Sequence, residues 1–185
     1  MMFIETELTP NPETQKFLPG QAVLPTGSMT FETDEEAAVS PLATALLAVE
    51  GVKSIFLGAD FIAVTKEEAE DWIDLKPLVL SSIMQFFTTG QPVIEGSIEV
   101  AGGMEDNPED AEIILQIKDL LDQKIRPAVA QDGGDILYHG FQEGVVYLKM
   151  QGACSGCPSA TITLKQGVEN LLKYYIPEIV DVQAI

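Results

Sequence analysis

The sequence predicts an α+β protein: two small domains joined by a flexible linker, the second an α-β-β-α-β unit with a three-stranded sheet and two helices. Three observations predict it. A chain of 185 residues with 46% hydrophobic content is long enough for two modest cores. Its hydrophobic period switches between short strands and helical faces without the regular βαβ alternation of a parallel sheet. Between the two periodic halves, residues 95–110 are rich in Gly, Glu, Asp, Asn and Pro and carry no period, as a linker does. The expected boundaries are therefore 1–94, 95–110 and 111–185.

The first domain opens on a strand, Phe3 to Leu8. Thr9-Pro10-Asn11-Pro12 follows, a rigid non-helical corner because both prolines fix φ, leading into a strand at Lys16 to Leu18. Met29 to Glu32 reads as a short strand. Ser40 before Pro41 is an N-cap followed by proline at the first helical position, and Leu42, Ala45, Leu46 and Val49 share the face that follows. Gly51 ends this helix. Val52 to Leu57 and Phe61 to Thr65 form a hairpin around Gly58-Ala59-Asp60. A second helix, Asp74 to Thr88, should turn Leu75, Leu78, Val79, Ile83, Phe86 and Phe87 inward, with Trp72 packed at its start and Gly90 at its end. No catalytic constellation is found in this half.

The second domain begins with a helix near Pro108 to Ala130, with Ile113, Ile117, Leu120, Leu121 and Ile125 on one face. Pro127 should kink or end its regular part. Asp132-Gly133-Gly134-Asp135 reads as a structural turn into a strand, Ile136 to Phe141, which contains the only histidine, His139. Gly144 closes a hairpin into the strand Val145 to Met150. A glycine-flanked turn follows with Cys154 and Cys157, then a helix from Pro158 with Leu164, Val168, Leu171, Leu172 and Tyr175 on one face. Ile179 to Ile185 completes the sheet, and the cysteine turn is expected to lie exposed at one end.

Cys154 and Cys157 are the only cysteines in the chain, and they carry its chemistry. Pro158 at a helix start would put Cys157 at or near the N-cap, where free backbone N–H groups and the helix dipole favour a thiolate. A C-x-x-C turn can hold one metal centre or close a disulfide. A structural zinc site asks for four protein ligands, more than two cysteines and one histidine supply. A thioredoxin-like dithiol would sit in a βαβ setting that is not seen here. What remains is a site completed by a second copy of the chain, since two chains supply the four thiolates of an iron–sulfur cubane.

Composition excludes other classes. A net charge of −19 with a single arginine makes nucleic acid a poor partner, because phosphate binding needs clustered Lys and Arg. No run of 18 apolar residues suggests a membrane span. The start of the chain has neither a basic n-region nor an Arg-rich transit peptide, so a cytoplasmic (bacterial) protein, or a mitochondrial-matrix one after presequence removal, is expected. The charge is lopsided. Residues 1–110 carry 20 acids against four lysines, and residues 111–185 carry nine acids against six bases.

Arg126-Pro127, the D-G-G-D turn, Gly144-x-Val146, Gly152-x-Cys154-x-x-Cys157-Pro158-Ser159, Thr163-Leu164 and Gly167 resemble the C-terminal domain of NifU-type iron–sulfur proteins. Thr9-Pro10-Asn11-Pro12 with Lys16-Phe17, Ser40-Pro41-Leu42, Glu50-Gly51-Val52 and Asp60-Phe61-Ile62 look like the N-terminal domain of the Nfu subgroup. The likeness is to the shorter Nfu arrangement, without the scaffold domain and its three further cysteines found in full-length NifU proteins. The resemblance implies a non-enzymatic carrier of a labile [4Fe–4S] or [2Fe–2S] cluster. It would be a homodimer when loaded, receiving the cluster from upstream assembly proteins and passing it to apo-clients such as lipoyl synthase, aconitase and respiratory-chain subunits. Two other readings stay open on the residues alone: a dithiol–disulfide oxidoreductase using Cys154 and Cys157, and an adaptor whose cysteines bind zinc.

Overall fold

The computed structural model describes residues 3–95, 103–155 and 158–185, with backbone alone at 158–160. The chain divides into two compact units, Met1–Ile98 and Glu99–Ile185.

In the first unit, β1 (Glu5–Leu8), β2 (Thr14–Leu18), β3 (Met29–Phe31), β4 (Val52–Leu57) and β5 (Ile62–Lys66) form one sheet in the order β1-β2-β5-β4-β3. Every neighbouring pair is antiparallel. Helices α1 (Asp34–Ala37), α2 (Pro41–Leu47) and α3 (Trp72–Thr89) accompany it. Ser40 caps α2 as its sequence predicts: its Oγ accepts from the Ala43 N–H at 3.1 Å and donates to the Val93 carbonyl at 2.7 Å. The Thr9–Pro12 corner closes on itself, Thr9 Oγ1 donating to the Thr14 carbonyl and Asn11 Oδ1 accepting from the Glu13 N–H. Trp72 joins it through Nε1, which donates to the Pro12 carbonyl at 3.1 Å.

Three details depart from the sequence reading. Leu78 is 54% exposed. The buried residues of α3 are Leu75, Val79, Ile83 and Phe86, and Leu78 precedes Val79 by one residue, about 100° around the helix. Phe87 is only half-buried against the core. Helix α1 is absent from the sequence reading. Four residues carry no usable period, yet Thr33 and Glu36 form a reciprocal capping box that holds it.

In the second unit a turn of 3₁₀ helix (Pro108–Asp110) leads into α4 (Ala111–Leu120), a π-helical turn (Leu121–Ile125) and α5 (Arg126–Gln131). The expected disturbance at Pro127 takes the form of this π turn. Pro127 has no N–H for the Gln123 carbonyl and its ring would press on it, so the helix widens just before the proline. Ile114, Ile117, Leu121, Ile125 and Val129 are buried; Ile113 and Leu120 pack only partly. Strands β6 (Gly134–Gln142), β7 (Val145–Gly152) and β8 (Asp181–Ala184) form a sheet in the order β6-β7-β8, the first pair antiparallel and the second parallel. The hairpin turn uses Glu143 and Gly144 at φ 50° and 80°, the double positive φ that matches strand twist. Helix α6 (Pro158–Tyr175) makes the crossover to the parallel strand. It buries Val168 and Leu172, but Tyr175 is 49% exposed and Ile176, just past the helix, takes its place in the core.

Residues 96–102 of the stretch read as linker lie outside the described residues. Its last part is tied to the second unit, because the Met104 N–H donates to the His139 carbonyl at 2.8 Å and Asp106 accepts from the Tyr138 hydroxyl at 2.6 Å. Among the described residues, no helix is long and apolar enough to cross a membrane.

Candidate metal centre

Strand β7 ends at Gly152, and the chain turns through Ala153, Cys154 and Ser155 before α6. The turn is held from three directions. The Ala153 N–H donates to the Gly133 carbonyl at 3.2 Å. Ser155 closes back on the Gly152 carbonyl through its N–H at 3.1 Å and its Oγ at 2.9 Å. From the first turns of α6, Thr161 Oγ1 donates to the Cys154 carbonyl at 2.8 Å. Backbone groups that a sharp turn would leave unpaired are thus satisfied, and the Cys154 backbone is fixed.

The D-G-G-D turn forms the floor beneath it. Gly133 sits at φ 78°, a conformation that costs glycine little and other residues more. Asp135 is buried at 6% exposure, and the sole arginine pairs with it. Arg126 Nε and Nη2 donate to the two oxygens of Asp135 at 2.8 and 2.7 Å, and Arg126 Nη1 reaches Asp122 at 2.9 Å. Asp135 Oδ1 also accepts from the Ile136 N–H. A two-pronged, charge-assisted pair of this kind fixes both position and orientation; here it ties the start of α5 to the start of β6. The sequence reading missed this pairing, although the lone arginine of a strongly acidic chain was its available signal.

The structure corrects the expectation of an exposed cysteine turn at Cys154, which is only 7% exposed; Ser155 beside it is exposed. The sulfur packs over Gly134, so closely that a Cβ built there would stand 2.6 Å from it. Burial pushes the Cys154 thiol up to about 11, and the carboxylates of Asp132 and Asp135 push the same way. Near neutral pH this cysteine therefore keeps its proton, and a metal that binds it must displace that proton. Cys157, with the thiolate expected of it at the helix start, lies outside the described residues. His139 stands five residues along β6 from Gly134, on the order of 16 Å, and so lies apart from Cys154. A cleft of about 360 Å³ is lined by Met104, Lys118, Arg126, Tyr138 and His139 among others, and Cys154 does not line it. Among the described residues, no group of three or more His, Cys, Asp or Glu side chains could hold a metal ion.

Comparison with known proteins matches both units. Residues 4–90 fit the family described as scaffold protein Nfu/NifU N-terminal, and residues 117–183 fit the NifU-like domain. The chain is 50% identical over 185 residues to the human protein named NFU1 iron-sulfur cluster scaffold homolog, mitochondrial, covering all of this chain and 72% of the relative. The Drosophila ananassae protein of the same name is 49% identical, again over the whole chain, with 64% of the relative covered. The chain thus spans about two thirds of the length of these relatives. A solution structure of a NifU-like protein from Saccharomyces cerevisiae superposes with a TM-score of 0.47 at 26% identity, over 52% of this chain and 87% of that one.

Proposed function

The chain belongs to the Nfu family of scaffold proteins, and from that premise we propose that it holds a labile iron–sulfur cluster between two copies and passes it to apo-proteins. The observation that carries this reading is ligand arithmetic. The chain has two cysteines, and a cubane takes four thiolates, so Cys154 and Cys157 of each copy make one complete set. The cluster is cargo. Held across a subunit boundary by a short turn, it can leave by stepwise exchange of protein thiolates for those of a client.

Burial raises the Cys154 thiol to about 11, so Cys154 is not itself the readily ionised thiol through which a dithiol catalyst works. A metal-loading site tolerates this, because binding itself drives off the proton. The relatives are named as scaffolds and as mitochondrial. We assign this chain the same compartment, with upstream assembly proteins and apo-clients as its partners.

The test is anaerobic reconstitution with iron and sulfide, read by absorbance, Mössbauer spectra and iron content. A shared [4Fe–4S] cluster gives about two irons per chain and a shared [2Fe–2S] cluster about one. Cys154→Ala and Cys157→Ala should each stay folded and bind almost no iron. A single variant that keeps wild-type iron and sulfide would refute shared ligation.

A further inference from the structure

Gly134 and Gly133 are adjacent glycines with different duties. Gly133 needs its positive φ, and Gly134 has none; what Gly134 lacks is room for a side chain. A Cβ at 134 would lie 2.6 Å from Cys154 Sγ, 3.2 Å from Cys154 Cβ and 2.8 Å from the Gln151 carbonyl oxygen. Real Cβ contacts essentially never come as close as the first and third of these. The seat cannot readily recede. One residue along, Asp135 is held in the guanidinium fork of Arg126, and one residue back, the Gly133 carbonyl is tied to Ala153. On the other side, Thr161 holds the Cys154 carbonyl. Of these contacts the sulfur is the one that can swing aside, by rotation about χ1; the Gln151 carbonyl oxygen is backbone and gives only by a shift of the β7 strand.

From this geometry we infer that Gly134 is a positioning residue for Cys154: its bare Cα is the seat that keeps the sulfur withdrawn from solvent, and any side chain there turns the sulfur outward. The seat protects the ligand thiol between cargoes, and the Arg126–Asp135 pair holds the seat in place. This consequence rests on the ligand role proposed for Cys154; the seat itself does not.

Alkylation and melting test it in the full chain. With Cys157→Ser, Cys154 is the only thiol, and Gly134→Ala in that background should raise its rate of reaction with iodoacetamide at least about fivefold while the fold is retained by circular dichroism. In a melting cycle of Gly134→Ala, Cys154→Ala and the double variant, the loss from Gly134→Ala should shrink by about half once the sulfur is gone. If Gly134→Ala alone does not fold but the double variant does, the sulfur is the obstacle and the inference stands. An unchanged alkylation rate, additive melting losses, or failure of both variants to fold would overturn it, leaving Gly134 a servant of the hairpin at Gln151 alone. A wild-type chain that takes up no iron on reconstitution would remove the proposed function and leave both of these readouts intact.

Discussion

Cys154 ties a residue's surroundings to a measurable pH dependence. Its folded-state pKa of about 11 lies above the ordinary 9.0, so the folded chain keeps a proton that the unfolded chain loses first. The stabilisation is complete below about pH 9 and is lost as the pH rises through about 11. Tyr138 is shifted upward as well, by burial and the Asp106 carboxylate, so the wild-type melt alone does not isolate the cysteine. Cys154→Ala does: the variant's melting temperature should fall less steeply between pH 9 and 11, a difference of about 2 kcal/mol. Parallel wild-type and variant profiles would rule out this linkage. At Arg126 the expected effect is larger. Arg126→Met strands the Asp135 carboxylate in a buried site and should cost about 3 kcal/mol by denaturant melts. Arg126→Lys should recover only part, since an ammonium cannot reproduce two parallel bonds, and Arg126→Met with Asp135→Asn should cost less than the two singles together.

Element ends decide much of the first unit. Ser40 is fully buried, and one hydroxyl both caps α2 and satisfies the Val93 carbonyl beyond α3. Ser40→Ala removes a cap worth about 1 kcal/mol and takes the Ser40 donor from the partly buried Val93 carbonyl for about 1 more. The melting transition should therefore drop by about 2 kcal/mol, roughly twice the effect of an exposed cap. A Ser40→Ala chain as stable as wild type would show that water replaces both bonds. In the second unit, the π turn ahead of Pro127 brings Leu121 and Ile125 into the core and sets up Arg126 to reach back to Asp135.

At the scale of the whole molecule, the proposed cargo should govern association. Each compact unit closes its own hydrophobic core, so forming the cores does not call for a partner copy. The chain without cluster should then be mainly monomeric. On the proposed function, one cubane per two chains would place sulfur–iron bonds across the interface, so dimers should appear with the brown absorbance and disappear on chelation. Native mass spectrometry before and after reconstitution measures this. A loaded monomer with no small-thiol ligands, or a dimer indifferent to cluster, would contradict the account.

What the sequence determined by itself was local or periodic: the capped start of α2 at Ser40-Pro41, the hairpins, the disturbance at Pro127 and the order of elements in the second unit. These follow from φ restrictions, spacing and residue type, which act within a few residues. Tertiary structure decided what depends on residues far apart in the chain. It chose Ile114 over Ile113 and Ile176 over Tyr175 for the core, because a helix's buried face is set by what it packs against. It joined Arg126 to Asp135, although no spacing rule pairs a helix arginine with a strand carboxylate. It also withdrew Cys154 onto Gly134 across 20 positions, since the register of β6 and β7 fixes where that sulfur lies and how firmly it keeps its proton.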